Sequence, residues 1–321
     1  MKAITYAKYG SSEVLKLQQL EKPIPKDNQI LIKIIATTVN SADIRLRKAD
    51  PFLIRLVFGL FKPKIKILGT VIAGIVEAVG KDVTLFKIGD KVFGLNDMTM
   101  GTYAEYLAVP ETIPLSVKPD NLNFEESAAL VFGGHTALHF LKKSGITKGQ
   151  KILIYGASGA VGTSAIQIAK HYGAEVTAVT STNNINLVKN LGANKVIDYT
   201  TYDFTTIKDK YDIVYETVDK IAVSKIASLL KPNGVLILGA ALIKSMLQGF
   251  IISRKIKLKL IAGEAKATPK DMEFIKQLAI NGILKPAIDK TYNLEQIPQA
   301  HEYVEQGHKK GNVVIKIVTN N

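Results

Sequence analysis

The chain has 321 residues, with 42 Lys and Arg against 28 Asp and Glu for a net charge of +14, and it contains no cysteine. The missing thiols exclude disulfides, thiolate-held zinc, iron–sulfur clusters and a cysteine nucleophile. A 47% hydrophobic share with 22% charged residues suits a folded chain with a sizeable core, and the length suggests two domains.

The opening MKAITYAKYG enters an alternating strand pattern at once, with no basic stretch leading into an apolar one. No signal peptide is expected, and the expected setting is cytoplasmic. The most apolar window, residues 53–60, is flanked by Arg55 and lysines and falls far short of the roughly 20 residues a membrane span needs. Runs at 29–39 (QILIKIIATTV) and 71–79 (VIAGIVEAV), with shorter ones at 91–93 and 104–109, read as strands punctuated by Gly and Pro. They predict a mostly β unit of small-barrel type.

The character changes near Asn123. Residues 124–142 place apolar side chains at helical spacing behind Glu125 and Glu126, acids that suit a helix N-terminus. Strands at 151–155, 175–179, 195–198, 211–216 and 235–239 then alternate with helical stretches at 161–172, 184–190 and 220–230. Near-continuous apolar strands in a β–α–β rhythm predict a parallel sheet covered on both faces. A helix at 271–281 and a strand at 312–318 close the chain.

The stretch KILIYGASGAVGTSAIQIAKHYGAEVTAVTS, residues 151–181, carries the chemistry. An apolar strand runs into Gly156-Ala157-Ser158-Gly159-Ala160-Val161-Gly162, then into a helix and a second strand. A glycine at 159 lets backbone amides approach a pyrophosphate, one at 162 lets the helix pack on the strand, and the helix N-terminus offers unpaired N–H groups. Ala157 replaces the usual first glycine. A tight turn would also use such glycines, but the flanking strand, helix and second strand favour a dinucleotide site. The second strand ends in Thr180-Ser181-Thr182-Asn183-Asn184, without the carboxylate that bonds a free ribose 2′-hydroxyl. NADPH is therefore expected, with NADH as the weaker alternative; the same polar residues could also simply cap the next helix.

With these motifs in view, the chain resembles the medium-chain dehydrogenase/reductase superfamily in its zinc-independent, quinone oxidoreductase-like (zeta-crystallin-like) branch. The resemblance rests on NSADIRLR, LGTVIAGIVEAVGKDVTLFKIGDKVFG, GTYAEYLAVP, AALVFGGHTALHFL, GASGAVG, LGANKVIDYT and GNVVIKI, in this order along essentially the whole chain. It implies an α/β protein, with a GroES-like β-barrel catalytic domain over residues 1–122 and 263–321 and a doubly wound Rossmann domain over 123–262. It also implies a homodimer joined through the last Rossmann strand, here 257–262. Where zinc alcohol dehydrogenases carry a cysteine ligand this chain has Asn40, and where they carry a His-Glu pair it has Thr70 and Val71. No zinc is expected.

By the same resemblance, the catalytic residues are Asn40, Asp43 and Thr136: Asn40 and Asp43 line the substrate side and Thr136 contacts the nicotinamide. Ser158, Gly159, Ala160, Val161 and Gly162 wrap the pyrophosphate, and Ser181 and Tyr199 meet the adenosine end. The implied activity is hydride transfer from NADPH to a small electrophile, a quinone or an α,β-unsaturated carbonyl. The alternative is an NADPH-binding scaffold or sensor with little catalysis. Asp43 could instead tie the loop to a nearby Arg, Asn40 could complete a turn, His135 could donate a proton or simply pack, and His139 reads as a packing residue. The basic clusters at 62–66 (KPKIK) and 254–259 (RKIKLK) read as strands with one solvated face, so no nucleic-acid partner is expected. Residues 240–252 are unusually apolar for a surface loop.

Overall fold

The computed structural model describes residues 1–97, 99–240 and 242–317. In chain order the elements are β1 (Lys2–Thr5), β2 (Lys16–Gln19), β3 (Gln29–Val39), α1 (Ser41–Lys48), α2 (Ile54–Phe58), β4 (Val71–Val79), β5 (Lys91–Leu95), β6 (Tyr106–Pro110), β7 (Leu115–Val117) and α3 (Phe124–Ser144). There follow β8 (Lys151–Tyr155), α4 (Ala160–His171), β9 (Glu175–Thr180), α5 (Ile185–Asn190), β10 (Lys195–Asp198), β11 (Tyr211–Glu216), α6 (Val223–Ala227), β12 (Leu230–Leu238), α7 (Ile243–Lys255) and β13 (Lys259–Ala262). The chain closes with α8 (Pro269–Ile280), β14 (Ile288–Asn293), α9 (Ile297–Glu305) and β15 (Asn312–Lys316).

Two compact units emerge. One comprises Met1–Phe132, Ala267–Ile280 and Pro286–Asn321, the other Gly133–Lys266 and Asn281–Lys285. In the first, β14-β15-β3-β4-β5-β7 form one sheet, with β6 also pairing on β3. The long β3 is the hub, because it pairs with β15, β4 and β6 at once. Its Ile30, Ile32 and Ile34 are buried with Ile72, Val76 and Ile315 in one apolar core. In the second unit the sheet order is β10-β9-β8-β11-β12-β13, and every pairing is parallel. Strand order reverses between β8 and β11, and the carboxyl ends of the strands there form the crevice in which doubly wound sheets bind ligands.

Several local readings change. Residues 41–48 form α1, where only strands were expected this early. Asn40 and Asp43 make a reciprocal capping box that satisfies the first amides and starts the helix. The 254–259 cluster is no strand: Arg254 and Lys255 end α7, Lys257 turns with φ 53°, and β13 begins only at Lys259. The apolar 240–252 stretch is helical from Ile243 rather than a loop, and its Ala241 lies outside the described residues. Residues 62–66 loop back instead of extending, with the Lys64 N–H bonded to the Phe58 carbonyl at 2.8 Å. The helix expected at 220–230 is confined to α6, because Leu230 already pairs with Tyr211 as strand. The final strand ends at Lys316, and Val318 lies outside the described residues.

Candidate functional site

The glycine loop between β8 and α4 divides its work among three positions. Gly156 takes φ 79°, and a Cβ there would stand 2.4 Å from Thr217 Oγ1, so both conformation and space demand glycine. Gly162 sits on α4, where a Cβ would come within 2.3 Å of the Gly156 carbonyl oxygen and 2.6 Å of Ala157 Cα. Its bare backbone is what lets the helix close on the loop. Gly159 differs. It is the N-cap of α4 with φ −77° and no side-chain cap, and the nearest atom to a Cβ there is 3.5 Å away. The amides of Ala160, Val161 and Gly162 have no acceptor inside the helix. An open side, an uncapped terminus and a positive dipole end fit the residues to a pyrophosphate.

Thr136 lies on α3 one turn beyond Gly133, where a Cβ would be 2.1 Å from the Ala160 carbonyl oxygen. The two helices therefore touch backbone to backbone at the mouth of the loop, and Thr136 follows on the same face. It is nearly buried, with Oγ1 3.3 Å from His135 Nε2. His139 spends its Nδ1 on the Lys266 carbonyl at 3.1 Å and packs edge-on against Phe140.

At the end of β9, Asn184 joins the predicted residues. Its amide donates to Ser158 Oγ and to Ser181 Oγ, both at 3.1 Å, which ties the glycine loop to the second strand. Asn184 Oδ1 and Thr180 Oγ1 are buried there without a protein partner. Sequence reasoning saw Asn184 only as part of a polar segment, since nothing local shows that its amide bridges 26 residues back to Ser158. Tyr199 follows β10, donates its backbone N–H to the Thr180 carbonyl at 3.0 Å, and sets its ring edge-on to Tyr155. With Phe204 and Ile221 these tyrosines line a cleft of about 370 Å³.

One carboxylate was missed. Asp198, opposite Thr180 on the neighbouring strand, accepts from Thr182 Oγ1 at 2.5 Å and from Thr200 Oγ1 at 2.7 Å. These hydroxyls hold its pKa below the usual carboxylate range.

Asn40 and Asp43 lie in the other unit, and both are buried. Asn40 Oδ1 accepts from the Ala42 and Asp43 amides at 2.9 and 3.2 Å, and its Nδ2 donates to Thr70 Oγ1 at 3.2 Å. Asp43 accepts from the amides of Asn40 at 2.9 Å and Gly69 at 3.2 Å, and from the Tyr103 hydroxyl. Burial pushes its pKa up to about 7 against those bonds. Tyr103 OH also lies 3.1 Å from His301 Nε2, and burial drives His301 down to about 3, so the imidazole is neutral. The wholly buried Arg47 reaches Glu305 at 2.6 Å. Zinc does not fit here. The Asn40 amide oxygen is spent on the helix cap, Val71 is apolar, and among the described residues no group of three or more His, Cys, Asp or Glu could hold a metal ion.

Comparison with known proteins agrees with this architecture. Residues 26–120 match the alcohol dehydrogenase GroES-like domain, and residues 191–315 match a family described as zinc-binding dehydrogenase. A 2-methylene-furan-3-one reductase of Solanum lycopersicum is 36% identical over 98% of this chain and 79% of its own length. The chloroplastic NADPH-dependent alkenal/one oxidoreductase of Arabidopsis thaliana is 32% identical over 98% of this chain and 79% of its own. The solved quinone oxidoreductase of Coxiella burnetii superposes with a TM-score of 0.91, at 28% identity and 99% coverage of both chains.

The chain belongs to the medium-chain dehydrogenase/reductase superfamily. Its relatives place it in the quinone oxidoreductase-like branch of these oxidoreductases. Both halves of the expected fold, the GroES-like domain and the Rossmann sheet, are present. Among the described residues no helix is long and apolar enough to cross a membrane.

Proposed function

We propose that this chain is an NADPH-dependent, zinc-free reductase that delivers hydride to a quinone or an α,β-unsaturated carbonyl. The uncapped N-terminus of α4 at Gly159 carries the reading, because its free amides and open flank suit a pyrophosphate. Ser158, Gly159, Ala160, Val161 and Gly162 hold that group. Ser181, Asn184 and Tyr199 take the adenosine end, where buried Asn184 Oδ1 and Thr180 Oγ1 still lack partners. Asp198 is turned to Thr182 and Thr200, which leaves Ser181 to donate to a 2′-phosphate. NADPH supplies the hydride from nicotinamide C4.

Thr136 orients the nicotinamide end. The second N–H of the Asn40 amide donates to the acceptor's carbonyl oxygen as negative charge grows there. A conjugated acceptor spreads that charge through its own π system, so no Lewis acid is required. Asp43 is a positioning residue: wholly buried, it holds Asn40 through the capping box. Residues 1–122 and 263–321 form the substrate-side domain and 123–262 the cofactor domain, in a cytoplasmic homodimer joined at the β13 edge. The names of the furanone and alkenal/one relatives support an activated alkene as acceptor.

The test follows NADPH absorbance against a panel of quinones and enones, with the metal content measured on the same sample. Turnover at zero zinc is expected. Proven NADPH binding with no turnover of any acceptor would refute the enzyme reading in favour of a sensor, and activity that tracks bound zinc would refute the metal-free one.

A further inference from the structure

Residues 51–66 (PFLIRLVFGLFKPKIK) combine two properties that seldom meet on a surface. On the inner side, Ile54, Phe58 and Ile65 pack against the β core and Pro63 is buried. On the outer side, Phe52, Leu53, Leu56, Val57, Leu60 and Phe61 are between 45% and 89% exposed, with Phe61 the most open. The projection is braced. Tyr9 OH donates to the Gly59 carbonyl at 2.8 Å, and the Lys64 N–H returns to Phe58. The Arg55 guanidinium lies over the rings of Tyr9 and Phe52. The apolar tip is therefore held outward by a fixed base, whereas large contiguous apolar patches on monomers usually mark an interaction surface.

Charge decides the kind of partner. Arg55, Lys62, Lys64 and Lys66 belong to this segment, which contains no acid; Asp50 precedes it and the next carboxylate in sequence is Glu77. The three lysines are exposed beside the tip. Aromatic and aliphatic side chains at the apex with cations around them match the two layers of an anionic bilayer, acyl chains below and phosphate headgroups above. A protein partner would need its own acidic rim around an apolar socket, whereas an anionic bilayer presents both layers without further assumption.

We propose that residues 52–64 dock the protein peripherally on anionic phospholipid bilayers, with Phe61 and Leu56 entering the acyl boundary and Lys62 and Lys64 held at the headgroups. The docking is independent of the reaction proposed above, since it is read without turnover.

The chain has no tryptophan, so Phe61→Trp in the full-length protein places a single indole at the tip. Mixing with phosphatidylcholine vesicles containing phosphatidylglycerol is expected to shift its emission to the blue, and pure phosphatidylcholine to leave it unmoved. Lys62→Gln with Lys64→Gln in the same background should weaken partitioning roughly 25-fold, at about fivefold per lysine near the surface. Co-sedimentation of the wild type with the same vesicles, and its loss in Leu56→Ser/Phe61→Ser, checks the result without the reporter. No shift with anionic vesicles, equal partitioning with and without the lysines, or an equal shift on neutral vesicles would overturn the proposal. So would sedimentation showing that Leu56→Ser/Phe61→Ser turns a dimer into a monomer, because the face would then belong to a second copy.

Discussion

Gly159 and Gly162 stand three residues apart in one loop, yet alanine at each should fail in different ways. At Gly162 the new methyl would sit 2.3 Å from the Gly156 oxygen, 2.6 Å from Ala157 Cα and 2.7 Å from its carbonyl carbon. All three are backbone atoms, so no side chain can rotate away and α4 must lift off the loop. Overpacking of this sort costs about 1–3 kcal/mol, here at the upper end, and the better helix propensity of alanine returns up to about 1. A net loss of about 2 kcal/mol lowers the thermal midpoint by roughly 4–8 °C. At Gly159 the methyl meets nothing closer than 3.5 Å and φ is −77°. Stability should fall by less than about 1 kcal/mol, the difference between glycine and alanine as an N-cap. The methyl instead fills the approach to the free amides. Loss of one charge-assisted hydrogen bond, about 1.5–3 kcal/mol, weakens NADPH roughly ten- to hundredfold. Thermal melts and titration by NADPH fluorescence measure both quantities on both variants. Gly159→Ala that binds NADPH normally, or Gly162→Ala that melts with the wild type, would refute the division of labour.

Three further outcomes follow from the same structure. Ser181→Asp should weaken NADPH relative to NADH, and an unchanged ratio of their dissociation constants would show that Ser181 does not face the 2′-phosphate. His301 has a folded pKa of about 3 against about 6.5 unfolded, so between those values only the unfolded chain takes up the proton. Its contribution is intact above about pH 6.5 and is lost as pH falls toward 3, at up to about 1.4 kcal/mol per unit. His301→Gln should flatten that part of the denaturation profile between pH 6.5 and 4, and an unaltered slope would contradict it. Glu305→Ala strips the carboxylate from the fully buried Arg47 and should cost about 3–5 kcal/mol in chemical denaturation; a loss below about 1 would mean that water or another group pairs the guanidinium.

What the chain makes legible is what repeats locally. Five apolar runs at βαβ spacing announced the parallel sheet, and GASGAVG between a strand and a helix announced the loop, because both depend on neighbours within a turn or two. The start of α1 was legible too, as Asn40 followed three residues later by Asp43, a capping pattern. The family resemblance assigns the same two residues to the substrate side, and the structure shows most of their polar atoms also serving the helix cap. The basic 254–259 segment alternates like a strand, but Lys257 turns left-handed and the alternation never reaches a sheet.

The amino-acid sequence by itself determined the class of protein: no thiols, two kinds of domain, and a glycine loop set between a strand and a helix. Only the tertiary structure decided which side chains share a space. Asn184 meets Ser158 across 26 residues and His301 meets Tyr103 across 198. Asp198 faces Thr182 from the adjoining strand, and Phe61 stands outside the core that holds Phe58. Such pairings depend on sheet order and on which face of an element is covered, and those are settled when distant segments pack and bury their apolar faces together.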